Sequence, residues 1–411
     1  MDGRRTQLRE KQMKRAWPVF LVFLAMGFGD VVGPLVTLVK ETFNVSNLTA
    51  QLVPLTGFLM FGLLSVPMGL VQDRKGKKFV LILGLTVALA GALLPIFAGM
   101  YGRQVEIAAG DLTKFYVILA SILLLCAGAT ILQVCGNPVM RDVSPPGKFS
   151  SNLSLAQSVK AVGSSMGFLL LPLVAKPLGL SWSIQYPIFA ATLVIALCAC
   201  LPLRLTVEHD EQRQPATLRS CFTLFGKNRF VLTMVLGIFF YVGAEVCFNS
   251  GVPLLLKERF GLVLENSLWV SWSLFFLPIL VGRFAGAAIL RVLQPALFLK
   301  LTAVLSLIGI AAVFSGVKSL TYIGIVVTAL GFANIFPLIF SITVDALPER
   351  SNEISGLMIS AIAGGAILPP VMGWVVDLAN KNQIVGFIVP FAALLYILWV
   401  ALTQTTRQKT A

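Results

Sequence analysis

Twelve apolar runs, each of roughly 20 residues and separated by short polar segments, limit this chain more than any other feature. They fall at about 17–39, 50–71, 79–99, 115–139, 153–175, 183–203, 229–251, 264–290, 298–316, 320–346, 354–375 and 384–403. Runs of that length match the hydrocarbon thickness of a bilayer, where a backbone must satisfy its own hydrogen bonds as helix or closed barrel. With 57% hydrophobic and only 12% charged residues, an aqueous fold has too little polar surface to cover the rest. The expectation is an all-α membrane protein with twelve transmembrane helices.

The run after Arg15 is too long for a signal-peptide core and lacks a small-residue cleavage site, so the first helix is read as retained. Most of the 32 Lys and Arg lie in segments that face one side if the N-terminus is inside, which predicts that both termini are cytoplasmic. The net charge of +14 comes from clusters at Arg4, Arg5, Arg9, Lys11, Lys14 and Arg15, at 74–78, and in the loop after helix 6. Anionic lipid headgroups are sufficient partners for them, and no nucleic acid is implied. Six cysteines without metal-type spacing read as reduced packing residues, and no metal site is expected. Nor is there a His pair or nucleophile motif, so the chain does not read as an enzyme. His209, the only histidine, lies in a polar loop and carries no functional reading.

The predicted organisation is a basic N-terminus (1–16), a first six-helix bundle (17–204), a cytoplasmic linker (205–228), a second six-helix bundle (229–404) and a short tail (405–411). An internal echo supports two pseudo-symmetric halves. Asp142-Val-Ser-Pro145 followed by Ser151-Asn152-Leu-Ser154 returns, about 200 residues on, as Asp345-Ala-Leu-Pro348 followed by Ser351-Asn352-Glu-Ile-Ser355.

Polar residues inside the apolar runs are costly and point to function. They are Asp30 on helix 1, Gln133 and Asn137 on helix 4, Gln157 and Lys160 on helix 5, Glu245 and Asn249 on helix 7, Arg283 on helix 8 and Asn334 on helix 10. Helices 3, 6, 9 and 12 carry essentially none, which predicts that those four face lipid while the others surround a wet interior. Helix-breaking pairs, Gly33-Pro34, Asn137-Pro138, Gly364-Gly365 and Pro369-Pro370, lie on the predicted interior helices. Trp269 and Trp272 share a helix face and read first as interfacial anchors, second as a sugar-stacking surface. Sequons at Asn44 and Asn47 lie close to the predicted outer face, where short loops disfavour glycosylation.

At the loop between helices 2 and 3, Gly69, Asp73, Arg74 and Gly76, followed by Lys77 and Lys78, match G-x-x-x-D-R-x-G-[RK]-[RK]. The chain thereby resembles the major facilitator superfamily. It is further similar to the fucose/glucose/galactose:proton symporters, through Asp30 with Pro34, Phe43 to Gln51, Gly136-Asn137-Pro138, Leu153 to Gln157, Tyr241 to Ala244, Gly282-Arg283-Phe284, and Gly364-Gly365 with Pro370 to Gly373.

That resemblance implies the major facilitator fold and a secondary active transporter importing a sugar or sugar-derived solute with protons by alternating access. It implies a monomer in the cell membrane of a bacterium, the inner membrane, with no cofactor other than the coupling proton; sodium coupling and proton-coupled export of drugs or lipids are the alternatives. Asp30 matches the family's protonatable coupling residue, with Glu245 a second titrating candidate. The substrate-binding candidates are Lys160, Gln133, Asn137, Gln157, Asn249 and Asn334; Gly69, Asp73, Arg74, Gly76 and Arg283 are assigned to conformational gating. Where the fucose member has a glutamate and an asparagine facing the sugar, this chain has Gln133 and Lys160, which leaves an anionic solute open.

Measured along ideal helices, Asp30 lies about 19 Å and Lys160 about 12 Å from the predicted cytoplasmic ends, within reach of an ion pair. Three roles compete for it. They are a static bridge, a switch in which protonated Asp30 frees Lys160 for solute, and a Lys160 that permanently holds a solute anion while Asp30 acts alone.

Overall fold

A computed structural model of the chain describes residues 17–43, 52–103, 112–203, 218–262, 270–380 and 382–403. Among these residues the architecture is all helical, with twelve membrane helices in chain order. They are α1 (residues 17–43), α2 (Leu52–Lys75), α3 (Lys77–Phe97), α4 (Thr113–Val143), α5 (Phe149–Leu170), α6 (Gln185–Cys200), α7 (Arg229–Phe260), α8 (Leu277–Ile289), α9 (Pro295–Phe314), α10 (Lys318–Phe332 and Ile335–Ala346), α11 (Ser351–Ser360 and Gly364–Leu378) and α12 (Ile388–Thr403). A short amphipathic helix, Leu218–Lys227, precedes α7. Ten described helices are long and apolar enough by themselves to cross a bilayer. Trp17–Val31 of the first is apolar but shorter, and the fifth is diluted by Gln157, Lys160 and a run of serines.

Contacts divide the chain into two compact units, one formed by Met1–Pro146 and Val159–Leu218, the other by Gly147–Ser158 and Arg219–Ala411. The first turns of α5 therefore group with the second unit. Lipid-facing surface is legible as helical stripes: on α9, Leu297, Leu301, Val304, Leu305 and Ile308 are exposed at the spacing of one helix face.

Several runs that hydropathy reads as continuous are interrupted. α1 tightens to a 3-10 turn over Gly27–Val31. The expected helix 10, 320–346, breaks at Ala333 and Asn334, and the expected helix 11, 354–375, passes through a 3-10 turn at Ala361–Ala363. The reason in α10 is Pro337, which has no N–H and crowds the carbonyl four residues before it, that of Ala333. In α3 the same logic applies to Pro95 and Gly91. The orphaned Gly91 carbonyl accepts from Ser121 Oγ of α4 at 2.7 Å, so a proline that stays inside its helix is compensated by a neighbouring hydroxyl.

Candidate functional site

In the first unit, α1 and α5 meet backbone to backbone. A Cβ at Gly27 would run into the Lys160 carbonyl and the Ser164 nitrogen, and one at Gly163 would strike the Leu24 carbonyl. Glycine is required at both crossing points, as in other close-packed membrane helix pairs. One helical turn beyond Gly163, Gly167 leaves room for Val31.

This contact places Asp30, on the 3-10 turn, beside the polar face of α5. Asp30 Oδ2 lies 3.0 Å from Lys160 Nζ and accepts a hydrogen bond from Ser164 Oγ at 2.9 Å. Lys160 and Ser164 are four residues apart on one face of α5, and together they hold a single carboxylate oxygen. The pair is not sealed: the Asp30 side chain is 36% exposed and that of Lys160 13%. Phe28, two residues earlier, stacks on Phe189 of α6 with ring centroids 4.1 Å apart and anchors the other side of the turn.

From α4, Gly29 faces Ala129 and Met26 fills the space at Gly136. Gln133 lies one turn from each on the same face of α4, so it too looks toward the 3-10 turn of α1. It is 1% exposed, and its Nε2 has no hydrogen-bond partner among the described residues. Asn137, one turn further, is fully buried.

The second unit holds another intramembrane pair. Arg283 Nη2 lies 3.6 Å from Glu245 Oε1, with side chains 12% and 26% exposed. Arg283 Nε donates to the Ala333 carbonyl at 3.2 Å, and Nη1 donates to the Gln157 carbonyl at 3.3 Å. The Ala333 carbonyl is the one that Pro337 deprives of its helical donor, so the guanidinium fills a vacancy that a proline created. Close packing permits this reach. Gly282 lies against Ala333, a Cβ at Gly286 would collide with Asn334, and Asn334 Nδ2 donates to the Gly282 carbonyl at 2.8 Å. Tyr241, Glu245 and Asn249 follow one another at four-residue steps along α7, running from buried to exposed.

At the loop between α2 and α3, Gly76 adopts φ +83°, which a side chain would strain, and Gly69 is buried. Lys77 forms an ion pair with Asp142 at the end of α4, 2.6 Å, and Lys78 Nζ donates to the Leu201 carbonyl at 2.6 Å. The motif's lysines thus tie α3 to α4 and to the end of α6; Asp73 is partly buried and Arg74 exposed beside them.

Of the residues singled out from sequence, Asp30 and Lys160 come together as expected, and Glu245 joins Arg283, a pairing that sequence reasoning missed. Ser164 was also missed; its spacing of four from Lys160 was the available signal. Trp269, Asn44, Asn47 and His209 lie outside the described residues.

A glucose/galactose transporter of Brucella abortus is 26% identical over 398 residues, covering 93% of this chain and 92% of that one. An L-fucose-proton symporter of Escherichia coli is 24% identical over 399 residues, covering 88% and 86%. The crystal structure of the Escherichia coli fucose:proton symporter superposes with a TM-score of 0.77 over 94% of this chain and 98% of that one, at 18% identity, a likeness of fold. The profile of the Major Facilitator Superfamily matches residues 19–362, and the chain belongs to that superfamily.

Proposed function

We propose that this multi-pass membrane protein is a proton-coupled symporter of a sugar or sugar derivative, working by alternating access, with Asp30 as the proton acceptor. The observation that carries the reading is a carboxylate inside a membrane helix held by Lys160 and Ser164 on one oxygen. Membership of a transporter superfamily and relatives that bear sugar-transporter names over most of their length support it.

Ionised, Asp30 balances the Lys160 ammonium, and the pair is neutral within the membrane. Proton uptake removes that balance and leaves a cation in a medium that tolerates it poorly, so the ammonium turns to solute oxygens. Proton and solute then stabilise one another's bound states, which is thermodynamic coupling. Gln133, Asn137, Gln157, Asn249 and Asn334 are the proposed polar contacts for the solute. The proposed setting is a bacterial inner membrane, with both termini in the cytoplasm and the protein a monomer.

The test is uptake by purified protein in proteoliposomes, screened against neutral hexoses, 6-deoxyhexoses and sugar acids under an inward proton gradient. Accumulation of at least one of them, abolished by a protonophore, is expected. Asp30→Asn is expected to lose accumulation while still exchanging labelled solute across the membrane. If Asp30→Asn accumulates solute as well as the wild type, Asp30 is not the coupling group.

A further inference from the structure

The charge inventory around Asp30 narrows the solute. Within the membrane-embedded stretches of the first unit, the charged side chains far from either helix end are Asp30 and Lys160, one of each sign. Among the described residues, the groups that face Asp30 from the helices packed on α1 add no further charge. α5 contributes Lys160 and Ser164, and α4 contributes Cys126, whose Sγ donates to the Gly29 carbonyl at 3.5 Å. α2 brings Gly57 against Val32, and α6 brings Phe189 against Phe28.

When Asp30 takes a proton, the site holds one uncompensated ammonium. A neutral hydroxyl returns only part of what the carboxylate supplied, because charge-assisted hydrogen bonds are about twice as strong as neutral ones. A second carboxylate, carried by the solute, returns all of it. A phosphate ester, with a charge near −2 at neutral pH, would leave the site negative against a single lysine. On α4, the Gln133 amide is buried on the face toward α1, and its Nε2 lacks an acceptor among the described residues. It is a donor in want of a solute oxygen. The 36% exposure of Asp30 gives the solute an approach to the ammonium.

We propose that the solute is a sugar acid bearing one carboxylate, which replaces Asp30 on Lys160 while Gln133 donates to the same molecule. This rests on the proton-coupled transport reading above. One proton and one monoanion move together, so each cycle carries no net charge.

The experiment uses full-length protein in proteoliposomes with glucuronate, glucose and glucose 6-phosphate as probes. The pH gradient and the membrane potential are imposed separately with potassium and valinomycin. Glucuronate is expected to accumulate under a pH gradient at zero potential, with no response to potential alone, and excess glucose is expected not to compete. Lys160→Gln is expected to reduce glucuronate uptake by about tenfold or more, the loss of one charge-assisted contact. Asp30→Asn leaves Lys160 unpaired. It is expected to bind glucuronate without the dependence on acid that the wild type shows, because the protonation step has been supplied by mutation. That shift in pH dependence would not arise from a structural role alone, and ligand-induced thermal stabilisation reads it even if Lys160→Gln fails to fold.

Glucose accumulation driven by both gradients, with glucuronate inert, would overturn the solute class and leave proton-coupled sugar transport standing. Binding of glucose 6-phosphate in preference to glucuronate would overturn the charge match. An Asp30→Asn protein that still needs acid to bind glucuronate would overturn the exchange of carboxylates. Failure of every probe, and of the wider screen, would remove the transport reading itself.

Discussion

Replacing Arg283 by Met tests whether the guanidinium serves the break in α10. The buried Ala333 carbonyl has no helical donor because residue 337 is proline, and Arg283 Nε donates to it at 3.2 Å. Losing that donor strands a buried acceptor, at about 1–3 kcal/mol. The contact to Glu245 is longer, 3.6 Å, and Glu245 is 26% exposed, so its loss adds only about 1 kcal/mol. The expected total is about 2–4 kcal/mol.

Pro337→Ala restores an N–H four residues after Ala333 and gives the carbonyl its own helical partner. Arg283→Met should therefore cost less in the Pro337→Ala background, with a coupling energy of about 1–2 kcal/mol in the double-mutant cycle. The assay is equilibrium unfolding in mixed micelles by denaturing detergent, with transport measured alongside. An Arg283→Met penalty that is the same in both backgrounds would refute the assignment of the arginine to this carbonyl.

Three further outcomes follow from the packing. Gly163→Ala should destabilise by about 1–3 kcal/mol and reduce transport, because its Cβ meets the Leu24 backbone. Gly62→Ala, with nothing within 4 Å, is the matched control, and both are checked by unfolding and uptake. Ser121→Ala should cost about 1–3 kcal/mol by orphaning the Gly91 carbonyl that Pro95 freed, whereas Ser121→Thr should keep the bond; detergent unfolding compares the two. Lys77→Gln should change stability by no more than about 1 kcal/mol, since the Lys77 and Asp142 side chains are 20% and 33% exposed. A larger loss of transport than of stability in that variant, restored by exchanging the two charges, would assign the bridge to conformational change.

Much of the architecture was legible because membranes make polarity conspicuous. A charge in an apolar run stands out at once, so Asp30 and Lys160 were found, and helix length limited how far apart they could lie. What hydropathy cannot register is the backbone. The span 320–346 reads as one helix because Ala333, Asn334 and Pro337 barely alter its mean polarity, yet Pro337 removes one hydrogen bond and the helix parts there.

Glu245 and Arg283 were each visible as single charges, but their pairing depends on α7 and α8 packing at one depth, which no local pattern encodes. Ser164 was inconspicuous for another reason. A serine hydroxyl inside a helix ordinarily satisfies itself on the carbonyl four residues back, and here the Lys160 carbonyl lies 3.1 Å away. Its turn toward Asp30 is decided by the crossing of α1 over α5.

That crossing has a further meaning for how such a site can diversify. Gly27 and Gly163 bring the two main chains together without any side chain between them, so the positions of residues 30, 160 and 164 in space are set by peptide geometry. Exchanging the head group at position 160 for an amide, a hydroxyl or a longer cation is therefore expected to alter what the site recognises while the main-chain crossing at Gly27 and Gly163 stays in place. A lineage carrying this frame can move between solute classes by single substitutions, and a protein engineer can sample the same range with a saturation library at one codon.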